Sequence, residues 1–293
     1  MSEHSVYETA PAKINIHLRV GNRRADGFHN IESIFQSISL ADSLYISLAK
    51  RFSVRCLNFT LANESSLKKA YEAFCKFTGF SNGVDVLLLK KIPACAGLGG
   101  GSSDAVAMLR GLRKLSGFDI SDKILYDMAL QIGSDCPFFI KAGSAFVSGR
   151  GELIKQLEGK SAMGLLLYQN IESKTAQAYD LLDNERVRAG YSDFGLLENS
   201  VITEAIYAEY KKAVSDWGKG EAFFRNDFET VIFETEPKIK KAKEALLKAG
   251  ADFASMTGSG SAVFGLFESD EKLRKAIKIL KPRFDFCEPF LFC

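Results

Sequence analysis

Four glycines within the five positions 97–101 are the residues best placed to do chemistry in this chain. An apolar run over residues 84–92 precedes them and predicts a strand, while the small and apolar residues 105–115 predict a buried helix. Glycines carry no side chain, so successive backbone N–H groups can line a concave surface there. The helix adds unpaired N–H groups and the positive end of its dipole. Such a corner binds anions, and phosphate is the anion that fits it best.

This Gly-rich loop (residues 93–103) matches neither of the common phosphate-binding patterns. A Walker A loop needs a lysine before its final Ser or Thr, and Gly101 stands there instead. A dinucleotide-binding fingerprint read from Gly97 fails at its third glycine, since residue 102 is Ser. The alternative is an ordinary turn in which a serine caps the helix and no ligand binds. The density of glycines at a strand-to-helix junction favours the ligand site.

Other polar residues could act on a bound phosphate. In Ala10–Val20, apolar residues alternate with Lys13, Asn15 and His17, so the period of a strand places these three on one face. A solvated strand face is the simplest explanation of that pattern. Asp135 lies two residues before Pro137, which suits either a helix cap or a partly buried functional carboxylate. The spacing alone favours the cap.

Two loops add further candidates. Phe28 and His29 end the turn-rich stretch 21–30 and could hold a flat ligand ring, although Phe28 could equally be buried in the core. A second Gly-rich element (residues 256–261) precedes an apolar stretch. It is a weak signal alone, but together with the Gly-rich loop it suggests a second wall of one ligand site.

Composition limits the possible functions. The chain has 293 residues, of which 46% are hydrophobic and 25% charged, as is typical of a soluble globular protein. The formal charge of +2 gives no field that would attract nucleic acid or an acidic membrane. Six cysteines without CxxC spacing and three histidines argue against a zinc site. A polar N-terminus and the lack of a long apolar run predict a reduced, cytoplasmic protein.

The remaining elements follow from periodicity and capping residues. Residues 31–48 predict one or two strands, and 184–220 predict polar helices joined by loops. Further strands are expected over 164–168 and 262–267, and helices over 65–77, 120–132, 173–182, 221–233 and from Pro237 to Gly250.

Three short motifs follow one another along the chain: Pro11–Asn15, Gly97–Ser103 and Gly258–Ala262. Together they resemble the GHMP kinase superfamily, named after galactose, homoserine, mevalonate and phosphomevalonate kinases. Arg24–His29 and Gly133–Phe139 narrow the resemblance to members that act on a cytidyl-diphospho-methylerythritol, in the methylerythritol phosphate route to isoprenoids. The resemblance implies a two-domain α+β fold, with a ribosomal-S5-like ATP-binding domain over 1–155, an α+β domain over 156–293, and the active site in the cleft between them.

The resemblance also implies an activity and residue roles. The γ-phosphoryl group of ATP passes to the 2-hydroxyl of a small-molecule substrate, with ATP and Mg²⁺ as cofactors. Lys13 and Asp135 match the catalytic lysine and aspartate. Phe28 and His29 match the cytosine-binding positions, Tyr179 matches the aromatic on the other ring face, and Asn15 and Thr257 lie in motifs that flank the acceptor. The ATP phosphate loop is matched by Pro93, Ala94, Cys95, Ala96, Gly97, Leu98, Gly99, Gly100, Gly101, Ser102 and Ser103.

Four positions depart from the superfamily pattern. Phe28 replaces the more usual Tyr, which removes a hydroxyl but keeps the ring. Ser65 and Ser66 stand where Asn-Leu is frequent, so an adenine or ribose contact is missing or replaced. Asp104 stands where Asn is common, and we expect its side chain to face away from the phosphates.

Two other functions fit parts of the chain. Another GHMP kinase could act on a small alcohol such as mevalonate or homoserine, although such an alcohol offers no ring for Phe28 and His29. A GHMP-fold sensor could bind ATP without turnover, although it would not need both Lys13 and Asp135. A nucleic-acid-binding protein fits worst, because no basic-aromatic patch is present.

Overall fold

The computed structural model describes residues 5–58, 65–190 and 224–293. The described chain divides into two compact units. The first takes its residues from 1–12, 40–94 and 99–142, and the second from 13–39, 95–98 and 143–293. The boundary predicted at residue 155 stays a prediction. No helix in the described ranges is long and apolar enough to cross a membrane.

Two long strands pair with each other and contribute residues to both units: β1 (Ser5–Arg23) and β2 (His29–Ala49). In the first unit, the C-terminal half of β2 pairs antiparallel with β4 (Gly83–Leu89), in the register Ser43 to Leu89 through Ala49 to Gly83. Strand β3 (Ser53–Cys56) then pairs parallel with β4. The expectation of one or two strands over 31–48 therefore resolves into one continuous strand.

The first unit also holds three helices that pack on one another: α1 (Ser66–Thr78), α2 (Gly100–Ser116) and α3 (Asp122–Ile132). Helix α1 buries Leu67, Ala70 and Phe74, which its three-to-four-residue spacing places on one face. A short 3₁₀ helix, η1 (Cys136–Ile140), packs against α2 and α3. The helices predicted over 65–77, 105–115 and 120–132 are confirmed.

In the second unit, the N-terminal half of β2 pairs antiparallel with β5 (Ser144–Ser148), which pairs with β6 (Leu153–Leu157). A separate antiparallel sheet has the strand order β10-β7-β9-β8. Its strands are β7 (Met163–Tyr168), β8 (Phe253–Met256), β9 (Val263–Phe267) and β10 (Phe286–Leu291).

The helices of the second unit include α6 (Pro237–Lys248) and α7 (Asp270–Leu280), which pack on this separate sheet. The others are α4 (Thr175–Arg188), α5 (Glu229–Thr235) and the short 3₁₀ helix η2 (Lys281–Arg283). The helix predicted over 221–233 is wrong for residues 224–228, where Asn226 instead bridges to Leu18 of β1. Residues 191–220 of the polar region predicted as helices and loops lie outside the described residues.

We expect Gly164→Ala to destabilise the second unit. A Cβ at residue 164 would lie 2.6 Å from the carbonyl oxygen of Gly265 and 2.3 Å from Cζ of Phe290. Overpacking of this kind costs roughly 1–3 kcal/mol. Urea unfolding should show this loss, whereas Gly159→Ala, whose Cβ would meet nothing within 4 Å, should change little. Equal effects of the two substitutions would contradict the close packing at Gly164.

Candidate active site

The Gly-rich loop alternates left-handed backbone conformations before α2 begins. Cys95, Gly97 and Gly99 have φ values of 53°, 78° and 69°. Gly99 is the N-cap of α2, and no side chain accepts a capping hydrogen bond from the first-turn N–H groups. Ser102 and Ser103 lie inside α2 instead. The alternative of a serine-capped turn is therefore wrong, and the backbone arrangement fits an anion.

Residues 95–98 of the Gly-rich loop contact the second Gly-rich element. The N–H of Ala262 donates to the carbonyl oxygen of Ala96 at 3.1 Å, and the Thr257 hydroxyl lies 3.2 Å from the carbonyl oxygen of Gly97. A Cβ at residue 97 would lie 2.1 Å from the Thr257 carbonyl oxygen. Only glycine allows this approach, so the two Gly-rich elements touch, and their expected role as two walls of one ligand site stays a prediction.

The polar face of β1 is buried. Lys13 and Asn15 are only 3% and 2% exposed, so the expectation of a solvated strand face is wrong. The Lys13 ammonium donates to Oδ1 of Asn15 at 2.7 Å and lies 4.6 Å from the centre of the Phe35 ring. The Lys13 side chain is therefore held in one place inside the second unit.

Asn15 connects this strand to the second Gly-rich element. Its Oδ1 accepts from the N–H of Gly258 at 2.9 Å as well as from Lys13. Its backbone N–H donates to the Thr257 hydroxyl at 3.0 Å, and its Nδ2 donates to the Ser33 hydroxyl at 2.9 Å. The structure therefore brings together Lys13, Asn15, Thr257 and residues 95–98.

His17, on the same strand face, does not behave as a base. Burial, followed by the positive charges of Arg225 and Arg19, lowers the pKa of His17 to about 3. Its Nδ1 accepts from the backbone N–H of Arg225 at 3.2 Å. His17 is therefore a neutral, structural side chain at ordinary pH.

Asp135 lies in the first unit, at the residue before η1. Pro137 occupies the first turn as expected, but the Asp135 side chain makes no capping hydrogen bond. The predicted N-cap position of Asp135 is thus confirmed, and only a capping hydrogen bond to its carboxylate is missing. Lys13 belongs to the second unit, and the catalytic roles of Lys13 and Asp135 stay predictions.

The aromatic residues expected to hold a ring lie in the second unit. Phe28 is 47% exposed, so burial in the core is excluded, and the Arg150 guanidinium lies 4.9 Å from its ring centre. His29 stacks on Tyr179, with ring centres 4.6 Å apart and planes inclined by 20°. Phe228 meets the Tyr179 ring edge-on at 4.9 Å. Their roles toward cytosine stay predictions.

Asp183 contacts His29 beside these aromatic rings, and the sequence analysis did not predict it. Nε2 of His29 lies 3.0 Å from both carboxylate oxygens of Asp183. Asp183 follows Tyr179 by four residues on α4, so the helix presents ring and carboxylate on one face. That spacing was visible in the sequence, but nothing local connected it to His29.

This chain is similar to known proteins over nearly its full length. Residues 65–143 match the GHMP kinases N terminal domain and residues 204–284 match the GHMP kinases C terminal family. A 4-diphosphocytidyl-2-C-methyl-D-erythritol kinase of Treponema pallidum is 40% identical and aligns over 97% of each chain. The chain belongs to the GHMP kinase family.

Other relatives extend the comparison. A kinase of the same name from Solibacter usitatus is 38% identical over 92% of this chain and 84% of its own. A crystal structure of 4-(cytidine 5'-diphospho)-2C-methyl-D-erythritol kinase has a TM-score of 0.80 at 29% identity, covering 98% of this chain and 99% of its own. A homoserine kinase from Cytophaga hutchinsonii shares the fold, with a TM-score of 0.71 at 17% identity, and the alignment covers 100% of this chain and 96% of its own.

GHMP kinases use ATP and Mg²⁺, and this member of the family has residues that fit them. The uncapped helix N-terminus and the glycine-lined backbone suit a polyphosphate. Mg²⁺ is usually held by one or two carboxylates together with substrate phosphates. Within the described ranges, no three or more His, Cys, Asp or Glu side chains lie together as a possible metal site. Mg²⁺ does not require such an all-protein site.

We expect Asn15→Ala to destabilise this GHMP kinase by about 2 kcal/mol or more, because it leaves the Lys13 ammonium and the Gly258 N–H without their shared acceptor. Urea unfolding should show the loss, and ATP turnover should fall with it. Asn82→Ala, at an exposed position, serves as the control. Equal stability of the two variants would contradict the connecting role of Asn15.

Proposed function

We propose that this protein is an ATP-dependent kinase that phosphorylates the 2-hydroxyl group of 4-diphosphocytidyl-2-C-methyl-D-erythritol, in the methylerythritol phosphate route to isoprenoids. The relatives of highest identity among those described above support this substrate. The structural observation that carries the proposal is the contact between the two Gly-rich elements, with the Lys13 ammonium held by Asn15 beside them.

Phosphoryl transfer requires mainly positioning and neutralisation of charge. Bound ATP would supply the γ-phosphoryl group, and Mg²⁺ bound with it would share the negative charge. The Gly-rich loop would hold the phosphates by its backbone N–H groups, and the N-terminus of α2 adds the positive end of a dipole. No Walker lysine is present, so Lys13 is the proposed source of a fixed positive charge at the transfer point.

Asp135 is the proposed partner of the acceptor hydroxyl. Its carboxylate would orient that hydroxyl and accept its proton as the oxygen attacks, a contribution typically worth about 10²–10⁴-fold. Because the transition state is loose, orientation of the hydroxyl can account for much of the effect.

The cytidyl end of the substrate would bind near His29 and Tyr179. His29 would hydrogen-bond cytosine, while Phe28 and Tyr179 supply ring faces. Asp183 fixes the imidazole orientation by holding Nε2. Binding energy gained at this remote ring would position the reacting hydroxyl. A small alcohol such as mevalonate would leave these aromatic surfaces unused, and an ATP sensor would leave Asp135 unused.

The proposed location is the cytoplasm. The six cysteines of the chain all carry free thiols in the structure, which suits a reducing compartment.

The purified protein should consume ATP with Mg²⁺ and the cytidyl-methylerythritol, but not with mevalonate or homoserine. Asp135→Asn should lower kcat by about 10²–10⁴-fold, because the acceptor hydroxyl loses its base. Steady-state kinetics measures both effects. Asp119→Asn, which changes an exposed carboxylate of the same unit, is the control and should keep normal kcat.

Each other outcome has a distinct meaning. Turnover with a different alcohol would support the kinase activity but contradict the proposed cytosine-binding site. Nucleotide binding without turnover of any of these alcohols would favour the sensor. Unchanged kcat in Asp135→Asn would remove this carboxylate from the chemistry.

Tyr179→Ala should raise KM for the cytidyl substrate far more than KM for ATP. An aromatic–base contact is worth roughly 1–3 kcal/mol, and the substitution also removes the ring on which His29 stacks. Tyr179→Phe keeps the ring and should retain most of the affinity. If Tyr179→Ala binds the substrate as tightly as the wild type, Tyr179 lies outside the site.

A further inference from the structure

Two buried carboxylates and one partly buried lysine lie together in the first unit, around the ends of the Gly-rich loop. We call Lys90, Asp42 and Asp104 the Lys90 cluster. Lys90 follows β4, Asp104 lies near the start of α2, and Asp42 belongs to β2. The Lys90 ammonium donates to Oδ2 of Asp104 at 2.7 Å and also to Asp42. Asp42 is fully buried, and Asp104 is 4% exposed.

The cluster also holds the backbone that leads into the loop. The second carboxylate oxygen of Asp42, Oδ1, accepts from the N–H of Ile92 at 2.9 Å and from the N–H of Lys91. On the other side, a Cβ at Gly100 would lie 3.3 Å from the Lys90 ammonium and 3.0 Å from Cγ2 of Ile92. The ammonium therefore lies directly against the first turn of α2, where a glycine makes room for it.

We propose that Lys90 is a positioning residue for the Gly-rich loop, because its ammonium joins the strand end before the loop to the helix after it through two buried carboxylates. Lys90 would act through the loop backbone rather than by touching the reacting atoms. This inference rests on the proposed function only in taking the bound ligand to be ATP.

The charges of the Lys90 cluster do not balance. Two carboxylates face one ammonium, and Oδ1 of Asp104 is buried without a hydrogen-bond partner in the described chain. Although burial opposes it, the two carboxylates raise the pKa of Lys90, so the ammonium stays charged. Burial is the largest effect on Asp104; with Asp42 it outweighs the opposing Lys90 charge and raises the pKa of Asp104 to about 7.

The excess negative charge of the Lys90 cluster lies close to the N-terminus of α2, where we propose that the phosphates bind. A polyphosphate at the N-terminus of α2 repels ionised Asp104, so it favours the protonated carboxyl group. Nucleotide binding then takes up a proton, and affinity falls as the pH rises through about 7. From the elements packed around Asp104, the charged groups that act on it are Lys90, after β4, and Asp42, from β2.

The test measures binding of a non-hydrolysable ATP analogue with Mg²⁺ by calorimetry, so it does not depend on the acceptor. Lys90→Met should bind the analogue about tenfold more weakly, equivalent to about 1.4 kcal/mol. Lys91→Met removes the same charge from the exposed neighbouring position and should match the wild type. In turnover, Lys90→Met should raise KM for ATP more than KM for the acceptor, a split that general destabilisation would not produce.

Asp104→Asn provides the second measurement. Wild-type affinity for the analogue should fall between about pH 6 and pH 8, and this variant should show a flat profile because the titrating group is gone. Lys90→Met leaves two buried carboxylates without their cation and can unfold the chain. Asp104→Asn keeps the side-chain shape. If Lys90→Met does not fold, the pH profile of Asp104→Asn tests the inference by itself.

The outcomes separate this inference from the proposed function. Equal affinities of Lys90→Met and Lys91→Met, or a wild-type pH slope in Asp104→Asn, would overturn the positioning role. Analogue binding with the expected variant effects, but no phosphorylation of the cytidyl substrate, would reject the proposed substrate and leave the role of Lys90 intact. A wild-type protein that binds no analogue would overturn both.

Discussion

The hydrogen bonds of the buried Asn15 side chain are the interactions on which the arrangement of the second unit most depends. A buried ammonium is costly unless it is hydrogen-bonded, and Asn15 supplies the acceptor for Lys13. The same oxygen accepts from Gly258, so the strand that carries the lysine and the second Gly-rich element are held by one side chain. The charge proposed to act on a phosphate is therefore fixed before any ligand binds. Such preorganisation is what phosphoryl transfer requires of a protein.

The glycines of the Gly-rich loop allow neighbouring groups to approach the backbone closely, and they also allow positive φ angles. Gly97 touches the Thr257 carbonyl group, and Gly100 makes room for the Lys90 ammonium. At Gly97 a Cβ would lie 2.1 Å from the Thr257 carbonyl oxygen, so the packing around the loop admits only glycine there.

Local patterns predicted many of the elements, because capping and periodicity act within a few residues. Ser65 and Gly79 bound α1 as cap residues, and Ser121 caps α3. The resemblance to GHMP kinases likewise rested on short motifs that are contiguous in sequence. The helix predicted over 221–233 was partly wrong because Asn226 makes tertiary contacts instead, donating to the carbonyl oxygens of Met256 and Gly258.

The sequence by itself determined the family, the Gly-rich loop and the identities of the residues proposed to carry the chemistry. Only the tertiary structure decided which polar residues are buried. An alternating strand pattern is the same whether its polar face meets water or another element, so the burial of Lys13 and Asn15 was not visible locally. The contact of Asp183 with His29 and the Lys90 cluster also join distant residues. Long-range pairing of charges depends on packing, and no local spacing encodes it.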